Sequence, residues 1–174
     1  MPYHHTLIHP EFKQHLTQSV LFKRQAARGI VLRDAQILLL FTERYNDFSF
    51  PGGGVDPDEP LEMALRRELA EETGAQDVCI QQYYGQVEEF RPYHKAGYDG
   101  MHMISHFFVC DIAAELQAVQ MEQHEIANGM RPVWVDLQQA IAHNQAIIQR
   151  QDSTMGQSIH RETLMLRQVA EDLV

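Results

Sequence analysis

Cysteine is scarce: among 174 residues there are two, Cys79 and Cys110. Neither belongs to a CxxC pair or a zinc-type spacing, which argues against a structural zinc site or a disulfide framework. Each sits in an apolar stretch, so two buried, reduced thiols are expected. Long hydrophobic runs are also missing. The longest, Ile37 to Phe41, is far too short to cross a bilayer, so no membrane association is expected. The opening Met1-Pro2-Tyr3-His4-His5 has no basic segment followed by an apolar one, so no secretory signal is expected. Reduced thiols without a signal imply a cytoplasmic location. Positive charge is short as well, with 14 Lys and Arg against 24 Asp and Glu and a formal net charge of −10. Such a surface repels duplex nucleic acid and anionic lipid. An acidic protein that handles phosphates needs a cation between itself and its ligand.

What is present is an ordinary globular balance, 44% hydrophobic and 22% charged residues, at a length that suits one domain. The expected organisation is a single domain over 1–174, with residues 1–24 as an N-terminal extension and a C-terminal helix within 150–174. Helical character is expected around Glu11 to Phe22. Ala26 to Leu32 and Gln36 to Phe41 are expected as strands around a turn. Pro51-Gly52-Gly53-Gly54 reads as a strong breaker. A helix is expected over 60–73, with Pro60 at its first position and Gly74 after its end. Val78 to Val87, Met103 to Ile112 and Val133 to Val135 read as strands, and Leu137 to Gln149 and Ile159 to Leu173 as helices. The segment 91–101 reads as a long loop. Interleaved strands and helices point to an α/β fold with a covered sheet.

The helix over 60–73 is unusual. At 100° per residue, Leu61, Ala64, Leu65 and Leu69 form one stripe for the core. Glu68 and Glu72 fall inside that stripe and Glu71 on its edge. Like charges three and four residues apart repel, and partial burial raises the cost to several kcal/mol per ion without a compensating cation. Arg67 is positioned to pair with Glu71, and Arg66 with Glu62, but neither is expected to reach the centre of the acidic stripe. Converging carboxylates with no basic partner suit a hard, oxygen-seeking divalent ion. The glycine run just before the helix permits close backbone approach to a phosphate or metal.

The segment from Gly53 to Ala75 resembles the signature of the Nudix hydrolase family, G-x5-E-x7-R-E-U-x-E-E-x-G-U with U aliphatic. Here it reads Gly53, five residues, Glu59, seven residues, then Arg67-Glu68-Leu69-Ala70-Glu71-Glu72-Thr73-Gly74-Ala75. Ala75 is smaller than the usual aliphatic residue, and Asp58 stands where many members carry glycine. The resemblance implies an α/β/α sandwich with a mixed sheet and a loop–helix–loop. It implies hydrolysis of a nucleoside diphosphate linked to another moiety, giving a mononucleotide and a phosphorylated product, with Mg²⁺ or Mn²⁺ as cofactor. It further implies that Glu68, Glu71, Glu72 and the carbonyl of Gly52 bind metal, and that Glu59 and Arg67 tie helix to loop.

Glu71, Glu72 and Glu125 are the candidate catalytic carboxylates, Glu125 as a general base outside the signature, with Glu89 and Glu122 in reserve. Arg28, Arg44 and Gly53 are candidate substrate contacts. His102 and His106 have a helical zinc spacing but lie in an expected strand, which argues against a metal role. ADP-ribose or a sugar nucleotide is the favoured substrate type, with dinucleoside polyphosphates or nucleoside triphosphates as alternatives. Pro92 and Tyr93 resemble markers of two different subfamilies. A non-catalytic nucleotide-binding module of the same fold is the alternative function. Homodimers are frequent in the family.

Overall fold

The computed structural model describes residues 1–13 and 16–174. In chain order its elements are β1 (Tyr3–Ile8), β2 (Leu21–Ile30), β3 (Leu32–Arg33), β4 (Gln36–Thr42), β5 (Asp47–Ser49), β6 (Gly52–Gly54), α1 (Leu61–Thr73), β7 (Cys79–Arg91), β8 (Gly100–Asp111), α2 (Gln123–Ala127), β9 (Met130–Asp136), α3 (Leu137–Arg150) and α4 (Ile159–Leu173). One mixed sheet runs β1-β7-β8-β2-β6, with β1 parallel to β7, β2 parallel to β8 and β6 antiparallel to β2. In a second sheet, β9 pairs along β4, and β3 and β5 also pair with β4.

Strand alternation explains the layering. In β4, Ile37, Leu38, Leu39 and Leu40 are all buried, as expected for a strand covered on both faces. Ile37 and Leu39 join a core with Leu137, Ile141, Met165 and Leu166 of α3 and α4, whereas Leu38 joins Ala64, Leu65 and Leu69 of α1. In β8, Phe107 faces the first core and Phe108 the second. Helices therefore cover both faces of the strands, with α1 on one side and α3 and α4 on the other.

Several expectations change. The glycine run does not break the sheet; Gly52 to Gly54 form edge strand β6, opposite Arg28 to Ala26. At Gly52 φ is +132°, and a Cβ there would strike the Ala27 carbonyl. Only glycine accommodates both the dihedral and the close approach. The expected helix over Glu11 to Phe22 includes residues 14 and 15, which lie outside the described residues. The rest of that span holds two 3₁₀ turns, Pro10–Phe12 and Leu16–Gln18, and the start of β2. Pairing of Leu21 and Phe22 with Gly100 and Met101 overrides the local helical pattern. Residues 1–24 are also not a mere extension, because β1 hydrogen-bonds along Gly85 to Phe90 of β7. Pro60 is the residue before the first helical turn of α1, and Gly74 ends it at φ +72°. Asp58 has φ +64°, a region aspartate tolerates better than most residues. Cys110 is buried, and burial pushes its thiol up to about 12. Cys79, expected to be buried, is exposed at the first position of β7. No described helix is long and apolar enough to cross a membrane.

Candidate active site

A cavity of about 610 Å³ opens where β6, the C-terminal end of α1, α2 and the start of α4 meet. Gly52, Gly53, Glu68, Glu72 and Glu125 all line it. Glu72 is 4% exposed, and its Oε2 accepts a 2.6 Å hydrogen bond from the Gly52 N–H. Burial holds its carboxyl well above the usual range; the Gly52 N–H and Arg28 oppose this, while Glu68 and Glu125 add to it. Glu68 is raised for the same leading reason, against the pull of Arg67. A Cβ on Gly53 would stand 2.5 Å from the Glu68 carboxyl, so the bare backbone of β6 lets that carboxylate lie against it.

Arg67 organises the loop. Its Nε and Nη2 donate to the two oxygens of Glu59, each at 3.0 Å, and Nη2 also reaches the Gly54 carbonyl at 3.1 Å. Contrary to the sequence expectation, Arg67 does enter the acidic stripe: Nη1 stands 2.6 Å from Glu68 and 3.5 Å from Glu71. Its long stem lets one guanidinium bridge three carboxylates. Arg66 turns to the Val78 carbonyl and not to Glu62.

The structure separates the other candidates. Glu125 caps α2, its carboxylate accepting from the Glu122 N–H at 2.7 Å, and faces the same cavity as Glu68 and Glu72. Glu122 lines the cavity too. Glu89 is spent on Arg161 beneath the floor and is not an available base. Glu71 is partly exposed beside Arg67 and lies outside the cavity lining. Arg28 is a cavity residue, but Nη1 is committed to the carbonyls of Phe50 and Gly52, at 3.2 and 3.3 Å. It supports the loop backbone. Arg44 lies outside the lining, donating to Asn128 at 3.1 Å and standing over Tyr45. A phosphate clamp at Arg44 does not fit this placement. His102 pairs with Glu88, and His106 with Gln25 and Tyr83. Tyr93 stacks on Phe22.

Sequence reasoning missed a buried network from the last helix. Arg161, 2% exposed, ion-pairs with Glu89 and with Glu162, itself fully buried. Glu162 Oε2 accepts from the Phe50 N–H at 2.9 Å, and Asn144 holds both backbone groups of Phe48, at 2.8 and 2.9 Å. The strand entering Pro51-Gly52 is thus pinned by α3 and α4. The test that exposed Glu72 would have found Glu162, which falls on the α4 stripe of Ile159, Met165, Leu166 and Val169.

The donor set fits a divalent cation. The buried Glu72 and half-buried Glu68 carboxylates repel each other and Glu125, and their environment favours loss of charge unless positive charge arrives. In this conformation Arg67 and the Gly52 N–H occupy those oxygens. Among the described residues no group of three or more His, Cys, Asp or Glu side chains stands ready to hold a metal ion.

Two outcomes are expected here. Gly53→Ala displaces the Glu68 carboxylate, which can move, so the fold survives. A shift of that size is expected to lower turnover by roughly a hundredfold with little change in melting temperature, measured by initial rates and thermal melts. Asp47, 3% exposed on the cavity wall, is pushed up to about 6 by burial and by Glu162. The folded state therefore binds a proton more tightly than the unfolded state, and stability falls as pH rises from about 4 through 6. Asp47→Asn is expected to stabilise the protein at pH 8 by about 1–3 kcal/mol and to have little effect at pH 4, in urea titrations at both values.

A family model for the NUDIX domain matches residues 23–155. An RNA pyrophosphohydrolase of Caulobacter vibrioides is 65% identical over 34 residues, which is 20% of this chain and 19% of that protein. One from Histophilus somni is 44% identical over 48 residues, covering 26% and 25%. The chain thus spans about a fifth to a quarter of the length of these curated relatives. A NUDIX hydrolase structure from Nitrosomonas europaea superposes over 86% of this chain and 90% of its own, with a TM-score of 0.59 at 16% identity.

Proposed function

The chain belongs to the Nudix family, whose domain match covers residues 23–155, and from that premise we propose that it is a divalent-cation-dependent pyrophosphohydrolase acting on a nucleotide-derived substrate. The observation that carries this is the pair of glutamates, Glu72 buried and Glu68 half-buried, facing one cavity against the glycine backbone of β6.

Glu68, Glu72 and the Gly52 carbonyl would hold Mg²⁺ or Mn²⁺, with Glu71 contributing through water. When bound, the cation supplies neutralisation of phosphate charge and activation of the attacking water. The protein's own part is positioning and proton handling. Arg67 and Glu59 fix α1 to the loop. Arg28 and Glu162 hold the strand before Gly52. Glu125, on the cavity wall, takes the proton of the attacking water as general base. The products are a mononucleotide and a phosphorylated second product. The names of the local relatives add RNA to the substrates to be tried, in a form that carries a pyrophosphate bond, such as a 5′-triphosphate end.

The test is a panel of ADP-ribose, sugar nucleotides, diadenosine polyphosphates, nucleoside triphosphates and 5′-triphosphorylated RNA, each with Mg²⁺ or Mn²⁺, resolved by chromatography. Cation-dependent cleavage at a pyrophosphate bond is the expected outcome. Nucleotide binding with no cleavage of any substrate would favour a non-catalytic binding module.

A further inference from the structure

Opposite the glutamates, the same cavity carries two arginines without acidic partners of their own. Arg24, Ala26 and Arg28 alternate along one face of β2, and Arg24 pairs in register with Met103 of β8. Arg91 lies on neighbouring β7, opposite Met101. Both arginines line the cavity. Arg91 is partly buried, and among the described residues its one hydrogen-bond contact is the Met101 sulfur, at 3.7 Å. Arg24 makes no hydrogen bond or ion pair among the described residues. Glu89, the acid that acts on Arg91, is taken by Arg161. Arg91 is held below the usual guanidinium range by burial, and Arg161 and Arg24 press in the same direction against Glu89. In a chain of net charge −10, leaving the partly buried Arg91 guanidinium with no carboxylate on it is costly for the protein alone, and the exposed Arg24 stands in the same cavity with no carboxylate of its own. An anionic ligand removes that cost.

The site's position relative to the glutamates indicates what the anion is. A Cβ on Gly54 would stand 2.5 Å from Arg24 Nη2, and one on the preceding Gly53 would stand 2.5 Å from the Glu68 carboxyl. Successive positions of a strand face opposite ways, so the arginine and the carboxylate stand on the two faces of edge strand β6, and the cavity that both line wraps around that edge. A short phosphate chain lying across β6 would meet both.

We propose that Arg24 and Arg91 form an anion subsite that takes a phosphate of the substrate beyond the scissile pyrophosphate. The substrate class is then a nucleotide oligophosphate, such as a nucleoside triphosphate, a dinucleoside polyphosphate or a 5′-triphosphate end, in preference to a diphosphate closed by a neutral sugar. This rests on the pyrophosphohydrolase reading above, but the subsite can be tested apart from catalysis. In EDTA, isothermal titration of the full-length protein with millimolar inorganic tripolyphosphate is expected to show binding. R24Q and R91Q each weaken it at least tenfold, and R91K retains more than R91Q. Arg24 is exposed, so R24Q keeps the fold and decides the matter even if R91Q does not. With turnover available, R24Q is expected to raise KM for a triphosphate at least tenfold and to leave KM for ADP-ribose unchanged. Absence of tripolyphosphate binding to the wild type, or equal binding by R24Q, overturns the subsite. Absence of hydrolysis with tripolyphosphate binding intact overturns the catalytic reading and leaves the subsite standing.

Discussion

Replacing Glu72 by glutamine is expected to lower kcat by about a thousandfold or more and, at neutral pH without divalent cation, to raise the melting temperature. The two effects have one cause. Glu72 is almost wholly buried, and burial, Glu68 and Glu125 all disfavour its charge. Glutamine has the same shape, still accepts from the Gly52 N–H, and brings no charge into that environment. If Glu72 holds the cation as proposed, its loss forfeits several kcal/mol of transition-state stabilisation, and each 1.36 kcal/mol is about tenfold in rate. Steady-state rates with saturating Mg²⁺ and melts in EDTA measure the two effects. A variant that is both inactive and less stable would mean that Glu72 is a structural acid. A variant that remains active would remove it from the site.

Arg161→Met is expected to be among the most destabilising single changes available. Arg161 is 2% exposed and joins Glu89 of β7 to Glu162 of α4. Methionine leaves Glu89 buried without its ion pair and Glu162 with Arg28 alone, 4.0 Å away, and breaking a buried pair in that way costs about 3–5 kcal/mol. For a domain of this size that corresponds to a fall of roughly 6–20 °C in melting temperature. The triple change Arg161→Met, Glu89→Leu and Glu162→Leu is expected to regain part of the stability but not the activity. Removing Glu162 frees the Phe50 N–H that positions the chain entering Gly52. If stability returned together with full turnover, the network would have no part in placing the loop.

How much could be read beforehand differed by element. α1 was legible almost to the residue, because its apolar stripe, its glycine stop and its misplaced carboxylates are local features. β4, with an unbroken buried run, was legible for the same reason. β6 was not: three glycines have no side-chain pattern, and their strand character comes only from pairing with Ala26 to Arg28. β1 was missed because a lone edge strand has little signal until its partner Gly85 to Phe90 is known. In the site, Glu68, Glu72 and the Arg67–Glu59 pair were within reach of motif and spacing. The pairing of Arg67 with Glu68, the commitment of Arg28 to backbone carbonyls and the outward placement of Arg44 depend on tertiary geometry. Arg24 and Arg91 lie 67 positions apart in sequence and become neighbours only through β8, which lies between their strands.

The central claim is that Glu68 and Glu72 together hold a divalent cation beside β6. The most direct measurement is Mn²⁺ binding followed by electron paramagnetic resonance, on the wild type and on Glu68→Gln and Glu72→Gln. The expected result is saturable binding by the wild type, lost or weakened at least tenfold in each variant, with catalysis falling in parallel. Equal Mn²⁺ binding by all three proteins, or cleavage that persists in excess chelator, would contradict it.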